Sequence, residues 1–168
     1  MKRDPKVRLI SLAHHIDEPL LKSVYRRLRK KAAVGVDGCT HDEYGADLDR
    51  RTGDLHRRLR TKRYRNAPIK RVHIPKDRGA TRPIGISTIE DKIVQGAIRD
   101  VLEAVYEPLF SDGSYGFRPG RSAHDALRAL DGALYRYEGN WILEADIQSF
   151  FDSVDRTALT RANLSFAI

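Results

Sequence analysis

A carboxylate at the end of an apolar segment is the first feature with the potential for chemistry. Residues 141–147 are mostly apolar and predict a buried strand that delivers Asp146 near its end. A buried carboxylate is costly unless it is paired or binds a metal, so at a sheet edge Asp146 could hold Mg²⁺ against a phosphate. The alternative is a turn or capping residue. Phe150 and Phe151 follow it, and they predict core packing for one ring and either packing or contact with a nucleotide sugar for the other.

Two cations flank a predicted hairpin turn. Residues 72–74 and 84–86 alternate in polarity and predict two short strands joined by a turn that contains glycine. Lys76 and Arg82 lie on either side of that turn, where they could converge on one anion. A lysine offers a point charge and an arginine a planar fork, a combination that suits a triphosphate. The alternative is a solvated basic turn.

Two further segments concentrate cations. The stretch from Arg50 to Arg71 holds ten Lys or Arg residues against one acid, Asp54, which indicates either phosphate binding without sequence preference or a solubilising helix face. The loop at 114–122 interleaves aromatics with arginines, which suits contact with phosphates or bases. The alternative for this loop is a structural turn in which Arg118 pairs with a buried acid. The candidates for binding nucleic acid are Arg63, Arg65, Lys70, Arg71, Arg118 and Arg121.

Helical patterns surround the hairpin and must position these residues. Apolar residues at helical spacing predict one helix near residues 20–28, a second that Thr40 opens, a long third over 89–109 and a fourth after Ser122. Capping boxes are predicted at Thr40–Glu43 and at Ser87–Glu90. The second helix is predicted to run on from Thr40 with its inward face at Tyr44, Leu48, Leu55 and Leu59. The order of elements predicts an α+β fold with helices packed on a small antiparallel sheet that includes a basic β-hairpin.

Composition narrows the class of protein. The chain has 168 residues and a formal net charge of +8, which favours a polyanionic partner such as nucleic acid over a neutral one. The alternative is a domain that is merely basic and soluble. A single cysteine, Cys39, excludes an intramolecular disulfide and a cysteine-rich zinc site. No apolar run is long enough for a membrane span or a signal peptide, so we expect a cytoplasmic protein without a membrane partner.

Taken in order, the motifs resemble the N-terminal portion of a group II intron-encoded reverse transcriptase, or maturase. The similarity runs from about residue 20 to about residue 155. Several ordered motifs in register make the resemblance specific. The matching segments are a short upstream motif at 35–38, the fingers hairpin at 71–86, its following helix at 91–95, the next motif at 114–122 and the first palm motif at 144–152.

This resemblance implies the fold and the reaction. Residues 1–19 would be an N-terminal extension, and residues 20–168 would be a reverse transcriptase domain that comprises the fingers and the start of the palm. The family's reaction is the template-directed attack of a primer 3′-OH on the α-phosphate of a dNTP, with two Mg²⁺ ions as cofactors. The implied partners are an RNA template or intron RNA, a DNA primer and the dNTP.

By position, the resemblance also implies roles for individual residues. Asp146 would be a catalytic ligand of the Mg²⁺ ions, and the Ile147 carbonyl would help to hold the metal. Lys76 and Arg82 would bind the incoming triphosphate. Phe151 would be the steric gate that rejects a ribose 2′-OH.

One departure from the family pattern bears on activity. The family supplies further catalytic carboxylates from a later Tyr-Ala-Asp-Asp hairpin, and this sequence has no adjacent pair of aspartates. We therefore expect a truncated or frameshifted product, or a fragment, that is inactive alone and has its enzymatic role within a longer polymerase. The alternatives are a non-catalytic RNA-binding maturase remnant and a pseudogene product.

Overall fold

A computed structural model describes residues 12–75, 81–136, 141–155 and 157–159. Its contacts divide the chain into one compact unit of residues 12–103 and a second that takes in the chain from Ala104 onward. The helices are α1 (Glu18–Arg27), α2 (His41–Gly45), α3 (Leu48–Arg60), α4 (Ile89–Tyr106), α5 (Ala123–Arg136) and α6 (Phe150–Ser153). The strands are β1 (Lys70–Pro75) and β2 (Thr81–Ile86), and 3₁₀ turns occupy Leu12–His15 and Glu107–Leu109.

The core of the first unit lies among α1, α3 and the first half of α4. Leu21, Leu55 and Ile93 are completely buried there, one from each helix. These residues belong to the apolar faces that the helical spacing predicts, so the assignment is confirmed for them. Their burial supplies the main apolar contribution to the stability of this unit. The predicted face of α4 is buried only as far as Ala97, since Ile98 on the same face is 43% exposed.

The helix predicted to run on from Thr40 is in fact two helices. The capping box is confirmed, since the Glu43 amide donates to the Thr40 hydroxyl and the Thr40 amide to the Glu43 carboxylate. The helix ends at Gly45, however, and α3 begins three residues later. A Cβ at Gly45 would overlap the Tyr25 hydroxyl, so this close approach of α1 requires glycine at the break.

The cap of α4 lies one residue later than predicted. Thr88, rather than Ser87, accepts the backbone N–H of the residue three positions on, Asp91, at 3.2 Å. Glu90 points elsewhere and pairs with Arg58 at 2.7 Å. The pattern in the sequence fits both registers, and the tertiary partner of Glu90 decides between them.

The predicted hairpin is confirmed as an antiparallel pair of strands with Val72 opposite Ile84 and Ile74 opposite Arg82. The α+β content is therefore confirmed. Both strands are exposed at every position except the half-buried Ile86. Among the described residues of the first unit, helices do not cover this sheet, so the predicted packing of helices on it is not observed there.

The predicted strand at 141–147 is not formed. These residues carry no regular secondary structure, and Trp141 and Leu143 are 95% and 92% exposed. A strand needs a neighbour that accepts and donates its backbone hydrogen bonds. The described residues from Ala104 onward contain no other strand, so the segment has no partner there. Across the described part of the chain, no helix combines the length and apolar character needed to cross a membrane.

Candidate nucleic-acid interface

The cations of the hairpin lie on two opposite faces of the sheet. Side chains alternate along a strand, so Lys70, Val72 and Ile74 share one face with their partners Ile86, Ile84 and Arg82. Lys70 and Arg82 thus share a face but stand four residue positions apart, which is about 13 Å along the strands. Arg71 lies on the opposite face. Lys76, the predicted partner of Arg82 on a triphosphate, lies outside the described residues.

A run of exposed cations leads from α3 into the hairpin. We call residues 60–71 the basic strap. In α3, by contrast, three of the five arginines are paired with acids: Arg50 with Asp47, and both Arg57 and Arg58 with Asp54. Arg65 of the strap donates to the carbonyls of its neighbours Lys62 and Tyr64. Within the described residues no acid pairs with the remaining cations of the strap, which are Arg60, Lys62, Arg63, Lys70 and Arg71.

A buried carboxylate fixes the strap to the helical core. Asp91, 4% exposed, accepts hydrogen bonds from the Tyr64 hydroxyl, from the Thr88 hydroxyl at 2.7 Å and from the Ala67 amide at 3.3 Å. Burial and the hydrogen bond to Asp91 raise the pKa of the Tyr64 phenol well above its usual range, so it stays a donor. Sequence analysis missed Asp91 and Tyr64 as positioning residues, and the Thr88–Asp91 spacing was the signal that could have revealed the carboxylate.

A glycine provides a second contact between the strap and the hairpin. A Cβ at Gly85 would lie 2.6 Å from Cγ2 of Ile69, so the strap packs directly on the backbone of β2 at this point. Tyr64 thus points inward and Ile69, which stays 59% exposed, packs against Gly85, while the cations of the strap are exposed to solvent. This arrangement presents several unpaired positive charges along one anchored segment, as a phosphate backbone requires.

In the loop at 110–122, Arg118 is committed to protein acceptors. Its Nε and Nη2 donate to Oε1 of Glu107 at 3.1 and 2.8 Å, and its Nη1 donates to the carbonyls of Ser111 and Ser114 at 2.7 and 2.9 Å. The guanidinium also lies 5.3 Å from the centre of the Phe110 ring. The side chain is 8% exposed. Pairing with an acid, the alternative from sequence analysis, is therefore what the structure has, although Glu107 is only half-buried.

Arg121 is held inward as well. Its Nη1 donates to the Asp112 carbonyl at 2.6 Å, and its guanidinium lies 5.1 Å from the centre of the Tyr115 ring. Phe117 has the opposite orientation, since its side chain is fully exposed. Its backbone has a φ of +57°, a left-handed conformation that side chains other than glycine rarely adopt. Sequence analysis noted this aromatic residue but chose the arginines as the binding groups.

Asp146 lies in the exposed segment before α6, and its Oδ1 accepts a hydrogen bond from the Ile147 amide at 3.0 Å. A two-metal centre needs several oxygen ligands around a shared point. Within the described part of the chain, no three His, Cys, Asp or Glu side chains come together as metal ligands. Asp146 and Ile147 alone would therefore supply only part of such a ligand set. Phe151 lies in α6, but its side chain is outside the described part of the structure.

Comparisons with known proteins place these features in a family. The family model described as reverse transcriptase (RNA-dependent DNA polymerase) matches residues 74–168. "Protein YkfC" of Escherichia coli is 36% identical over 166 residues, which are 95% of this chain and 44% of that protein. The "Group II intron-encoded protein LtrA" of Lactococcus lactis is 34% identical over 137 residues, which are 80% of this chain and 22% of that protein.

A third relative comes from a fungus. The "Uncharacterized 91 kDa protein in cob intron" of Schizosaccharomyces pombe is 43% identical over 102 residues, which are 60% of this chain and 12% of that protein. The chain thus spans less than half the length of each of these relatives. The family match covers more than half of the chain and includes Arg82 and Asp146. This chain belongs to the reverse transcriptase family, among the group II intron-encoded reverse transcriptases and maturases.

Proposed function

We propose that this chain contributes the fingers and the start of the palm to a cytoplasmic RNA-directed DNA polymerase of the group II intron type. The observation that carries the proposal is the basic strap, which Asp91 ties to the core and whose unpaired cations lead into an exposed hairpin. Phosphate binding without sequence preference needs such an array, because each cation that neutralises a phosphate releases a counterion. The strap would hold the RNA template or intron RNA and the primer.

The catalytic assignments belong to this proposal. Asp146 and the Ile147 carbonyl would hold Mg²⁺, whose chemistry is to stabilise charge on the reacting phosphate. Because these residues form only part of a ligand set, the polymerase activity is assigned to an enzyme that supplies the remaining carboxylates. Lys76 and Arg82 would bind the dNTP, and Phe151 would exclude the ribose 2′-OH.

RNA binding by this chain tests the first half of the proposal. We expect Arg63→Gln to weaken binding to a single-stranded RNA oligonucleotide and to reduce the slope of log affinity against log salt by about 0.7, the value for one lost phosphate contact. Arg57→Gln is the matched control, since that arginine is paired with Asp54 and should leave the slope unchanged. The measurement is fluorescence anisotropy between about 50 and 200 mM salt. Equal slopes for Arg63→Gln and the wild type would contradict the role of the strap.

Primer extension tests the second half. In a polymerase that contains this chain, Asp146→Asn should abolish extension while leaving RNA affinity within about twofold, because the substitution replaces a charged carboxylate ligand by a neutral amide and removes no phosphate contact. Extension at the wild-type rate by that variant would show that Asp146 is not a catalytic ligand.

A further inference from the structure

Phe117 combines an exposed ring with an unusual backbone conformation. The residue lies between Gly116 and Arg118 with a φ of +57°, and Gly120 three residues on has a φ of +67°. A bulky residue in the left-handed region is strained, and such strain persists only where surrounding contacts enforce it. The strain here does not serve to bury the ring, which is fully exposed.

The contacts that enforce this conformation are the two arginine clamps. Arg118, which directly follows Phe117, donates hydrogen bonds to Glu107 and to two carbonyls of the loop. Arg121 fixes the other side of the loop to Asp112. An aromatic side chain has few rotatable bonds, so on a fixed backbone it loses little entropy when it meets a flat partner. The loop is therefore organised in advance to present one aromatic face.

The charge of the loop indicates the class of partner. The acid within the loop, Asp112, and the acid just before it, Glu107, are each paired with an arginine and so do not repel a polyanion. The whole chain carries a formal charge of +8. A flat, apolar group attached to a polyanion is a nucleobase, and only an unpaired base leaves its face open for a side chain.

We propose that Phe117 is a stacking platform for an unpaired base of single-stranded RNA. This inference rests on the proposed function for the presence of RNA, and it adds a site that the family comparison does not assign. It also reverses the roles expected within the loop: the arginines hold the backbone, and the aromatic ring contacts the ligand.

The test compares the full chain with Phe117 variants in binding to a fluorescein-labelled single-stranded RNA 12-mer at low salt. Loss of one base stack should make Phe117→Ala bind about five- to a hundredfold more weakly. Phe117→Trp should keep the affinity, while Phe117→Leu, which is apolar but not aromatic, should bind like the alanine variant. Tyr135→Ala is the matched control, because it removes an exposed aromatic ring from the regular helix α5.

An abasic 12-mer separates stacking from every other effect. Without bases, the wild type and Phe117→Ala should bind equally, since only phosphate contacts remain. Circular dichroism should show both proteins to be folded. A difference that persists on the abasic strand would overturn the inference, and so would full affinity in Phe117→Leu, which would indicate apolar docking of another protein surface.

The result for the wild type distinguishes the two proposals. Salt-dependent RNA binding that Phe117→Ala leaves unchanged would refute the platform and leave the proposed function standing. Failure of the wild type to bind RNA at low salt would overturn the proposed RNA-binding role, and the platform would fall with it.

Discussion

Replacing Asp91 by alanine is the sharpest test of how the basic strap is held. The substitution removes one acceptor that serves three donors: the hydroxyls of Tyr64 and Thr88 and the amide of Ala67. A buried donor left without a partner costs about 1–3 kcal/mol. The cost for Thr88, which is buried, should lie in the middle of this range. The costs for Tyr64 and Ala67 should lie at its lower end, because these half-buried residues can partly recover hydrogen bonds to water. The expected loss in the free energy of unfolding is about 3–5 kcal/mol.

Urea unfolding followed by circular dichroism measures this loss. Asp112→Ala is the control: its carboxylate is fully exposed and makes only a surface ion pair with Arg121, so the change should stay within about 0.5 kcal/mol. Limited trypsin digestion adds a local readout, since release of the strap would free its backbone to enter the protease at the bonds after Arg60, Lys62 and Arg63. A loss below about 1 kcal/mol for Asp91→Ala, with cleavage in the strap no faster than in the wild type, would refute the anchoring role.

Two further predictions concern the remaining clamps and caps. Arg118→Lys keeps the charge but loses the planar fork to Glu107 and at least one carbonyl contact, so we expect about 1–3 kcal/mol of lost stability in urea unfolding and an unchanged salt dependence of RNA binding. A reduced salt slope would instead show that Arg118 contacts phosphate. Hydrogen bonds from the Thr40 backbone and side chain hold the pKa of Glu43 below its usual value, and the Ser122 side chain does the same for Asp125. Their contribution is therefore complete above about pH 5 and is lost as the pH falls through the lowered values, so Tm measured from about pH 6 to pH 3 should decline; a constant Tm would contradict it.

Local patterns predicted the elements whose stability is decided locally. The faces of α1 and α4 follow from helical spacing, and the cap at Thr40 follows from a hydroxyl and a carboxylate three residues apart. The hairpin follows from alternation on either side of a turn. In each of these, the residues that decide the conformation lie within one element or in two adjacent ones, so the sequence is sufficient.

The predictions that were wrong concern elements whose conformation involves distant partners. The segment 141–147 has the composition of a strand, but composition does not supply the neighbour that completes its hydrogen bonds. The end of α2 places Gly45 against the Tyr25 hydroxyl, twenty residues earlier in the chain, a contact that only glycine allows there. At the start of α4, Glu90 pairs with Arg58, thirty-two residues earlier in the chain, while Thr88 caps the helix through Asp91. None of these contacts leaves a periodic signal in the sequence.

The candidate site depends most on such contacts, because a cation that already forms an ion pair within the chain is less available to bind a ligand. Arg57 and Arg63 are the same type of residue, yet Arg57 is paired with Asp54, whereas Arg63 has no acidic partner among the described residues. By the same principle, aromatic residues and cations have opposite roles in the two segments. In the strap, the aromatic Tyr64 is the anchor and the cations face outward, whereas in the loop Arg118 and Arg121 are the anchors and the aromatic Phe117 faces outward. Side chains of both types can bind nucleic acid, so the type alone does not identify the binding residue. The hydrogen-bond partners already present within the chain identify it, and by that criterion the strap is suited to phosphates and the loop to a base.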